Sequence, residues 1–131
     1  MNHYLFDSPA IITLVERSKL DELVEGWTID LAFYELGNAV WKQVNLYQTL
    51  SMDEAKIALD ALLSVFDKMH KIQEFEPLNI LEIAVTEGLS YYDAAYLQAA
   101  MDKKMTLVTD DKKLKQVGDK YVNMVTSREA I

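Results

Sequence analysis

Short β-prone segments alternate with longer helical segments along the chain, and this alternation constrains the fold more than any other feature of the sequence. The predicted strands cover His3–Phe6, Thr28–Leu31, Lys71–Phe75, Met105–Val108 and Tyr121–Val125. Strands that are separated by helices favour a parallel sheet covered by helices, which is an α/β architecture. In such sheets, ligand sites collect at the carboxyl ends of the strands. Residues that directly follow strands are therefore the first candidates for a functional site.

Apolar spacing and capping residues predict the helices between these strands. Ser8 is predicted to cap the first helix, with Pro9 at its first position, and the second helix covers Ala32–Asn45. The later helices are predicted from Ser51, in a capping box with Glu54, to about Met69, over Leu78–Thr86 with Gly88 as the stop, from Ser90 to about Lys103, and from Thr109 to about Val117. Helical segments therefore separate each predicted strand from the next.

Composition excludes several classes of protein. The chain has 131 residues, which is the size of one domain, so we expect a single domain over residues 1–131. Cysteine is absent, which excludes a disulfide scaffold, a thiolate metal site and a cysteine nucleophile, and it fits a cytoplasmic protein. We expect His3, within a strand, and His70, at a helix end, to be structural or exposed, so a zinc site is not expected. No run of 18 apolar residues or basic leader is present, so we expect neither a membrane span nor a secretory signal.

The formal net charge is −8, which makes the chain a poor general binder of nucleic acid, because neutralising the phosphate backbone requires lysine and arginine. Any nucleic-acid contact must therefore depend on a local group of basic residues or on a partner. The candidates cluster late in the chain: Lys103, Lys104, Lys112, Lys113, Lys115 and Lys120. Most lysines of this kind form a solvated surface, which is the alternative interpretation.

Asp93 lies in an unusual position for a carboxylate. On a helix it shares its face with Tyr96, Leu97 and Ala100, at offsets of three, four and seven residues. Burying an unpaired carboxylate is costly or raises its pKa, so a compensating partner is expected. A capping box with Ser90 would explain Asp93 structurally, and it is compatible with a functional role.

Other acids follow predicted strands or lie on one helix face. Asp7 ends the first strand, Asp110 and Asp111 follow the fourth, and Glu35 shares a face with Asn38. Taken singly, these acids have ordinary interpretations as turn, cap or solvated residues. Taken together with Asp93 they form a set of hard oxygen donors, which magnesium and manganese prefer. Acids brought together would repel one another, and a divalent cation is the natural compensation.

Four segments from Tyr4 to Leu114 carry a family resemblance. They read HYLFDSPAIITLVE, FYELGNAVWK, LSYYDAAYLQAA and LVTDDKKL, in that order. The chain resembles the PIN-domain ribonucleases, and especially the VapC-type toxins of prokaryotic toxin–antitoxin pairs. The shared pattern is an acid at the end of the first strand, Glu with Asn three residues later, a Tyr-Asp-Ala helix start, and Thr-x-Asp before an apolar residue.

The resemblance implies a PIN-like three-layer α/β fold, with a central, mostly parallel sheet of four or five short strands flanked by helices. It implies that four acids form the catalytic site: Asp7, Glu35, Asp93 and Asp111. It implies that Asp7, Asp93 and Asp111 hold Mg²⁺ or Mn²⁺, and that the site is supported by Ser8, Asn38, Thr109 and Asp110. The chain departs from the pattern at Pro9, where the family often has Ser, so one hydroxyl and one backbone donor are missing.

The activity implied by the resemblance is metal-dependent endonucleolytic cleavage of RNA, in which water attacks the phosphodiester without a protein nucleophile. Single-stranded or looped RNA is the expected substrate, because the cleft must reach an accessible phosphodiester. Lys103, Lys104, Lys112 and Lys113 could guide it at the rim. The implied partners are an antitoxin with a basic C-terminal segment and a second copy of the chain, for which Trp41, Tyr47 and Phe66 offer apolar material.

Three alternatives remain open from the sequence. The chain could be a PIN-fold module that only binds a partner, or a stand-alone RNA-processing nuclease without an antitoxin. A phosphoacceptor receiver domain is also acidic, α/β and magnesium-binding. That fold requires adjacent acids after the first strand and an Asp after the third, whereas here the third predicted strand ends in Glu76-Pro77.

Overall fold

A five-stranded parallel sheet forms the centre of the structure, a computed structural model that describes residues 3–131. The strands are β1 (Tyr4–Phe6), β2 (Trp27–Ile29), β3 (His70–Ile72), β4 (Thr106–Val108) and β5 (Met124–Val125), in the order β3-β2-β1-β4-β5. The predicted parallel α/β architecture is confirmed. The order differs from the 2-1-3-4-5 order of receiver-type folds, so the receiver alternative is wrong.

Helices connect the strands and cover both faces of the sheet. They are α1 (Ser8–Glu16), α2 (Leu20–Val24), α3 (Leu31–Asn45), α4 (Met52–Lys68), α5 (Pro77–Glu87), α6 (Tyr91–Lys103), α7 (Lys112–Gly118) and α8 (Ser127–Ala130). The short helices α2 and α8 were not predicted, because neither has enough residues to show an apolar period. Between residues 3 and 131, no helix has the length and apolar character needed to cross a bilayer.

The strands divide the core into two layers because alternate residues point to opposite faces. Leu5 of β1 and Leu107 of β4 pack with α5 and α6, whereas Phe6 and Val108 pack with the helices α1 to α4. All four side chains are almost completely buried. The three-layer arrangement therefore follows from strands that are apolar on both faces, as expected for a covered parallel sheet.

Most predicted helix boundaries agree with the structure, and the capping residues explain why. Ser51 and Glu54 form the predicted capping box at the start of α4, with bonds of 3.1 and 3.0 Å. Gly88 ends α5 at a φ of 68°, a left-handed conformation that glycine adopts without strain. Ser90 caps α6 as predicted. The prediction for α1 is wrong, because Asp7 and not Ser8 is its N-cap.

The strand predicted over Lys71–Phe75 is also misplaced. It lies at His70–Ile72, where the rings of His70 and Trp27 on the neighbouring strand stack with their centroids 4.9 Å apart. The residues after Ile72 are exposed and lie outside the sheet. Pairing with β2 therefore decided the register, and sequence propensity alone does not contain that information.

Candidate active site

Asp7 is a buried carboxylate at the carboxyl end of β1. Its backbone N–H donates to Val108 O at 3.2 Å, and its Oδ1 accepts from Ala10 N at 2.9 Å, which makes it the N-cap of α1. Only 3 % of Asp7 is exposed. Burial raises the pKa of this carboxyl to about 7, because hydrogen bonds from Thr109 and Ala10 only partly offset the loss of water.

Asp111, the third residue after the neighbouring strand β4, is the N-cap of the helix that follows it, as Asp7 is after β1. Phe6 of β1 pairs with Val108 of β4, so the two strand ends lie side by side. Asp111 caps α7, with its Oδ1 accepting from Leu114 N at 2.8 Å, and its own N–H donates to Thr109 Oγ1 at 3.1 Å. Unlike Asp7, Asp111 is exposed. Each of these two parallel strands is thus followed by an acid whose side chain caps the next helix.

Asp93 lies in the first turn of α6 and is half buried. Its backbone N–H donates to Ser90 Oγ at 3.0 Å, but within residues 3–131 the reciprocal bond of the predicted capping box is not formed. Its pKa is raised, first by burial and then by repulsion from Asp111 and Glu35, while Ser90 and Lys113 oppose the rise. The Asp93 carboxylate is therefore in electrostatic contact with acids from two other helices.

Glu35 projects from α3 and is held by two hydroxyl groups. Ser8 Oγ donates to its Oε1 at 3.2 Å, and Tyr96 Oη donates to the same oxygen at 2.7 Å. Tyr96 is almost fully buried, and burial together with the adjacent Glu35 raises the pKa of its phenol. Both donors bind Oε1, so they fix the direction of the carboxylate while leaving Oε2 for another contact.

Tyr96 is a site residue that the sequence analysis missed. Its place in the apolar stripe with Asp93 indicated only a core aromatic. A signal was available, since the hydroxyl of a buried tyrosine requires a partner, and an acid elsewhere in the chain is a natural acceptor.

Two of the predicted supporting residues, Asn38 and Asp110, are exposed. Asn38 lines the same cleft as Glu35. Asp110 points towards α8, where its Oδ1 and Oδ2 accept from the backbone N–H and the hydroxyl of Ser127 at 2.8 and 2.7 Å. Asp110 therefore anchors the last helix to the end of β4, while its charge also contributes to the raised pKa of Asp7.

The four predicted acids thus converge from four places in the chain, and repulsion couples them. Asp7 is coupled to Asp93, and Asp93 in turn to Asp111 and Glu35. The donor set consists of carboxylates and hydroxyl groups, which suits a hard cation such as Mg²⁺. In the part of the chain that the structure describes, however, no three acidic or imidazole side chains are arranged to ligate one ion together. The donor chemistry fits a divalent ion, but direct coordination by three side chains is not preformed.

The lysines expected at the rim have different environments. Lys113 is close enough to lower the pKa of Asp93, and its Nζ donates to Gly88 O. Lys103 is paired with Glu74 at 3.0 Å. Lys120, which belongs to the late basic cluster and not to the predicted rim, is paired with Glu87 at 2.7 Å. Of these lysines, only Lys113 is in electrostatic contact with an acid of the site.

The expected interface residues separate into two groups. Phe66 is a core residue of α4 with 6 % exposure, so its assignment to an interface is wrong. Trp41 and Tyr47 are about half exposed, at 49 % and 60 %. An apolar stripe on a helix does not by itself distinguish a core face from a surface face.

Comparison with known proteins places these features in a family. The sequence matches the PIN domain family over residues 3–120. It is 35 % identical over 120 residues to a protein named Exonuclease VapC9 from Pyrobaculum aerophilum, covering 85 % of this chain and 82 % of that protein. It is 34 % identical over 130 residues to Ribonuclease VapC3 of the same organism, covering 92 % and 95 %.

The fold is similar to that of a solved structure. The crystal structure of PAE2754 from Pyrobaculum aerophilum superimposes with a TM-score of 0.84, covering 98 % of this chain and 91 % of that one. The sequence identity of that pair is 24 %, so the likeness concerns the fold alone. The predicted three-layer PIN-like architecture is confirmed.

Proposed function

The chain belongs to the PIN domain family, in its VapC branch, and we propose that it is a divalent-metal-dependent endoribonuclease that serves as the toxin of a VapBC-type toxin–antitoxin pair. The relatives are named as a ribonuclease and an exonuclease, and the acids described above supply the chemistry that such an activity needs. The substrate would be RNA with an accessible phosphodiester.

One observation supports this proposal most strongly. Asp7 and Asp93 are buried or half buried, they repel each other, and both have raised pKa values. Such an arrangement is unfavourable unless a cation joins it, because the groups that stabilise these two charges only partly offset the water that the carboxylates have lost. A divalent cation would supply the missing charge, and this is the property expected of a metal site before loading.

In this proposal Asp7, Asp93 and Asp111 hold Mg²⁺ or Mn²⁺, with one or two of them in direct contact and water completing the coordination, as Mg²⁺ commonly requires. A bound ion of this kind lowers the pKa of its water and offsets negative charge on the phosphoryl oxygens. Glu35 would use Oε2 to orient the attacking water, since its Oε1 is already engaged by Ser8 and Tyr96.

The remaining predicted residues have supporting roles in the proposal. Thr109 donates a hydrogen bond to Asp7 and accepts one from Asp111 N, so it keeps the two strand-end acids in register. Asn38 lines the cleft beside Glu35, where its amide could contact substrate. Asp110 would act indirectly, by fixing α8 and by adding negative charge next to Asp7.

The proposed protein partner is an antitoxin whose basic C-terminal segment reaches the acids. A cationic side chain would relieve the repulsion between Asp7 and Asp93 as a metal does, and it would exclude the metal. A homodimer is also proposed, for which Trp41 and Tyr47 remain available. The cytoplasmic location and the single domain over residues 1–131 stay predictions.

The decisive experiment uses a covalently closed circular RNA without secondary structure, because only an endonuclease can open a circle. We expect the full chain to linearise it in Mg²⁺ or Mn²⁺ but not in EDTA. Asp7→Asn and Asp93→Asn should each lose at least about 100-fold in rate, corresponding to the loss of several kcal/mol of charge stabilisation. Asp60→Asn is the matched control, since this exposed acid lies on α4, which contributes none of the four acids.

Three outcomes would contradict the proposal. Degradation of linear RNA with no opening of circles would make the protein an exonuclease, as one relative is named. Cleavage in EDTA would remove the metal from the mechanism. Binding of Mn²⁺ and RNA without cleavage would favour the non-catalytic PIN-fold module.

The toxin role has its own test, because a stand-alone nuclease would share the chemistry. Expression should arrest growth, and coexpression of a small adjacent gene that encodes a DNA-binding segment and a basic tail should restore it. Growth arrest by Asp93→Asn, or the lack of such a gene, would favour the stand-alone nuclease or another role.

A further inference from the structure

Two exposed tyrosines stand next to the acids of the site. Tyr34 directly precedes Glu35 on α3, and Tyr92 directly precedes Asp93 on α6. Their exposed fractions are 73 % and 58 %. A single exposed aromatic side chain is common, but two that share one surface mark a candidate binding site.

Both tyrosines line the same open cleft, together with Leu31, Glu35 and Asn38. The volume of the cleft is about 510 Å³, enough to admit planar groups. Its lining combines apolar and aromatic side chains with the carboxylate of Glu35 and the amide of Asn38. The two tyrosines and Glu35 therefore line one cleft, and Asp93 directly follows Tyr92 on α6.

Tyr34 is braced from behind by other aromatic rings. Its ring contacts Phe33 edge to face with centroids 5.1 Å apart, and Phe33 contacts the buried Phe66 at 5.9 Å. A ring supported on a helix in this way loses little conformational freedom when a ligand stacks on it. Tyr34 therefore has the rigidity that a stacking surface needs.

The charge of the chain makes stacking more useful than it would be in a basic protein. The net charge is −8, and Lys113 is the one lysine described above that is coupled to Asp93. Neutralisation of the phosphate backbone by lysines should therefore contribute less to RNA affinity than in a basic protein. Base–aromatic stacking does not depend on net charge, and each stacked base contributes about 1–3 kcal/mol as judged by alanine substitution.

We propose that Tyr34 and Tyr92 form a stacking platform for unpaired bases next to the phosphodiester that the acids cleave. This inference rests on the proposed function, and it adds that recognition depends on single-stranded bases more than on the backbone. Paired bases cannot splay onto side chains in this way, so duplex RNA is a poor substrate.

The test measures kcat and KM for the full chain on a single-stranded RNA with one cleavage site, and on the same RNA with abasic nucleotides flanking that site. Wild type should show a KM about 5-fold or more higher for the abasic RNA, which corresponds to the loss of one stacked base. Tyr34→Ala with Tyr92→Ala should raise KM for the normal RNA by a similar factor or more, with kcat changed less than about 3-fold. That double variant should no longer distinguish the two RNAs, because the bases and the rings act as one pair.

Control variants separate stacking from general damage. Tyr34→Phe and Tyr92→Phe keep the rings and should retain the wild-type KM. Tyr121→Ala removes another exposed tyrosine, at 39 %, which lines a different cleft with Asn79 and Glu82, and it should change neither constant.

The outcomes keep the two proposals distinguishable. If wild type cleaves RNA and the double alanine variant keeps the same KM and the same abasic penalty, the stacking platform is overturned and the nuclease stands. If KM is unchanged while the variant alters the mass of the protein in solution, the tyrosines form an interface between copies, which also overturns the platform. If wild type cleaves no RNA, both proposals fail.

Discussion

Asp7 and Glu87 are both carboxylates that link elements distant in the sequence, but their electrostatic surroundings are opposite. Glu87, at the end of α5, accepts hydrogen bonds from Lys120 and Tyr121, which lower its pKa. Asp7 is buried, faces Asp93 and Asp110, and has a raised pKa. In residues 3–131, no lysine or arginine forms an ion pair with Asp7.

The difference shows that the chain can neutralise an acid where stability is the requirement. At Glu87, the ammonium group of Lys120 and the phenol of Tyr121 stabilise the negative charge. Near Asp7, at the end of β1, the chain places Asp93 and Asp110, and within residues 3–131 no lysine or arginine pairs with Asp7. Unfavourable charge of this kind persists where function requires it, at a cost in stability. Removing the carboxylate charge should therefore raise stability at Asp7 and lower it at Glu87.

The largest effect on stability is expected from Asp7→Asn. Asparagine caps helices about as well as aspartate, so α1 keeps its N-cap while the buried charge is removed. The folded-state pKa of Asp7 is about 7, above its ordinary value of 3.8, so the folded state binds this proton more tightly than the unfolded state does. Wild type should then lose stability as pH rises from about 4 to 7, and the variant should lack that loss. Above pH 7 the variant should be more stable by about 2 to 4 kcal/mol.

Urea unfolding in EDTA between pH 4 and pH 8 measures this difference, and EDTA keeps divalent ions from stabilising wild type. Asp111→Asn is the matched control, because it changes an N-cap of the same kind at an exposed position and should shift stability by less than about 0.5 kcal/mol. A lower stability of Asp7→Asn at pH 8 would mean that the Asp7 carboxylate is compensated after all, and the contrast with Glu87 would disappear.

A smaller effect is expected from Tyr96→Phe, which tests how Glu35 is held. The substitution keeps the buried ring but removes the hydroxyl that donates to Glu35 Oε1 at 2.7 Å. Hydrogen bonds to charged groups contribute about 1.5–3 kcal/mol, and Ser8 still donates to the same oxygen, so we expect a loss of about 1 to 2 kcal/mol. If Glu35 orients water, kcat should fall about 10-fold while KM changes little.

The control for Tyr96→Phe is a tyrosine that donates to Glu87 instead of to Glu35. Tyr121→Phe removes a phenol that donates to Glu87 at the surface, so it should leave kcat unchanged and destabilise the protein less. Equal kcat values for Tyr96→Phe and wild type would show that Tyr96 supports only the fold.

Sequence reasoning predicted the fold and the four acids better than the details around them. Strands that are apolar on both faces, as in Leu5-Phe6 and Leu107-Val108, determine the layers, and local patterns reveal them. The acids were singled out because strand ends and the unusual position of Asp93 are visible in one dimension. Whether they act in catalysis stays a prediction.

What the sequence could not supply depends on contacts between distant residues. Tyr96 and Glu35 are 61 positions apart, and Asp110 and Ser127 are 17 apart, so no local pattern links them. The sequence cannot distinguish Ser8 from Asp7 as the N-cap of α1, because Ser and Asp cap helices equally well and only the backbone geometry after Phe6 selects Asp7. The register of β3 likewise depended on Trp27 of the next strand.

The smallest effect is expected from Glu87→Gln, which removes the favourable charge of the paired region. Lys120 would lose its partner at 2.7 Å, and an exposed ion pair of this kind stabilises a protein only slightly. The pKa of Glu87 is lowered in the folded state, so its contribution is present at neutral pH and is lost as pH falls through that pKa. We expect a small decrease in the urea midpoint at pH 7 and low salt, which disappears at acidic pH and in 1 M NaCl, where the Debye length is about 3 Å. A midpoint that rises with Glu87→Gln would place Glu87 in the same class as Asp7, and the uncompensated charge would then be a general property of this acidic chain, not a feature of its site.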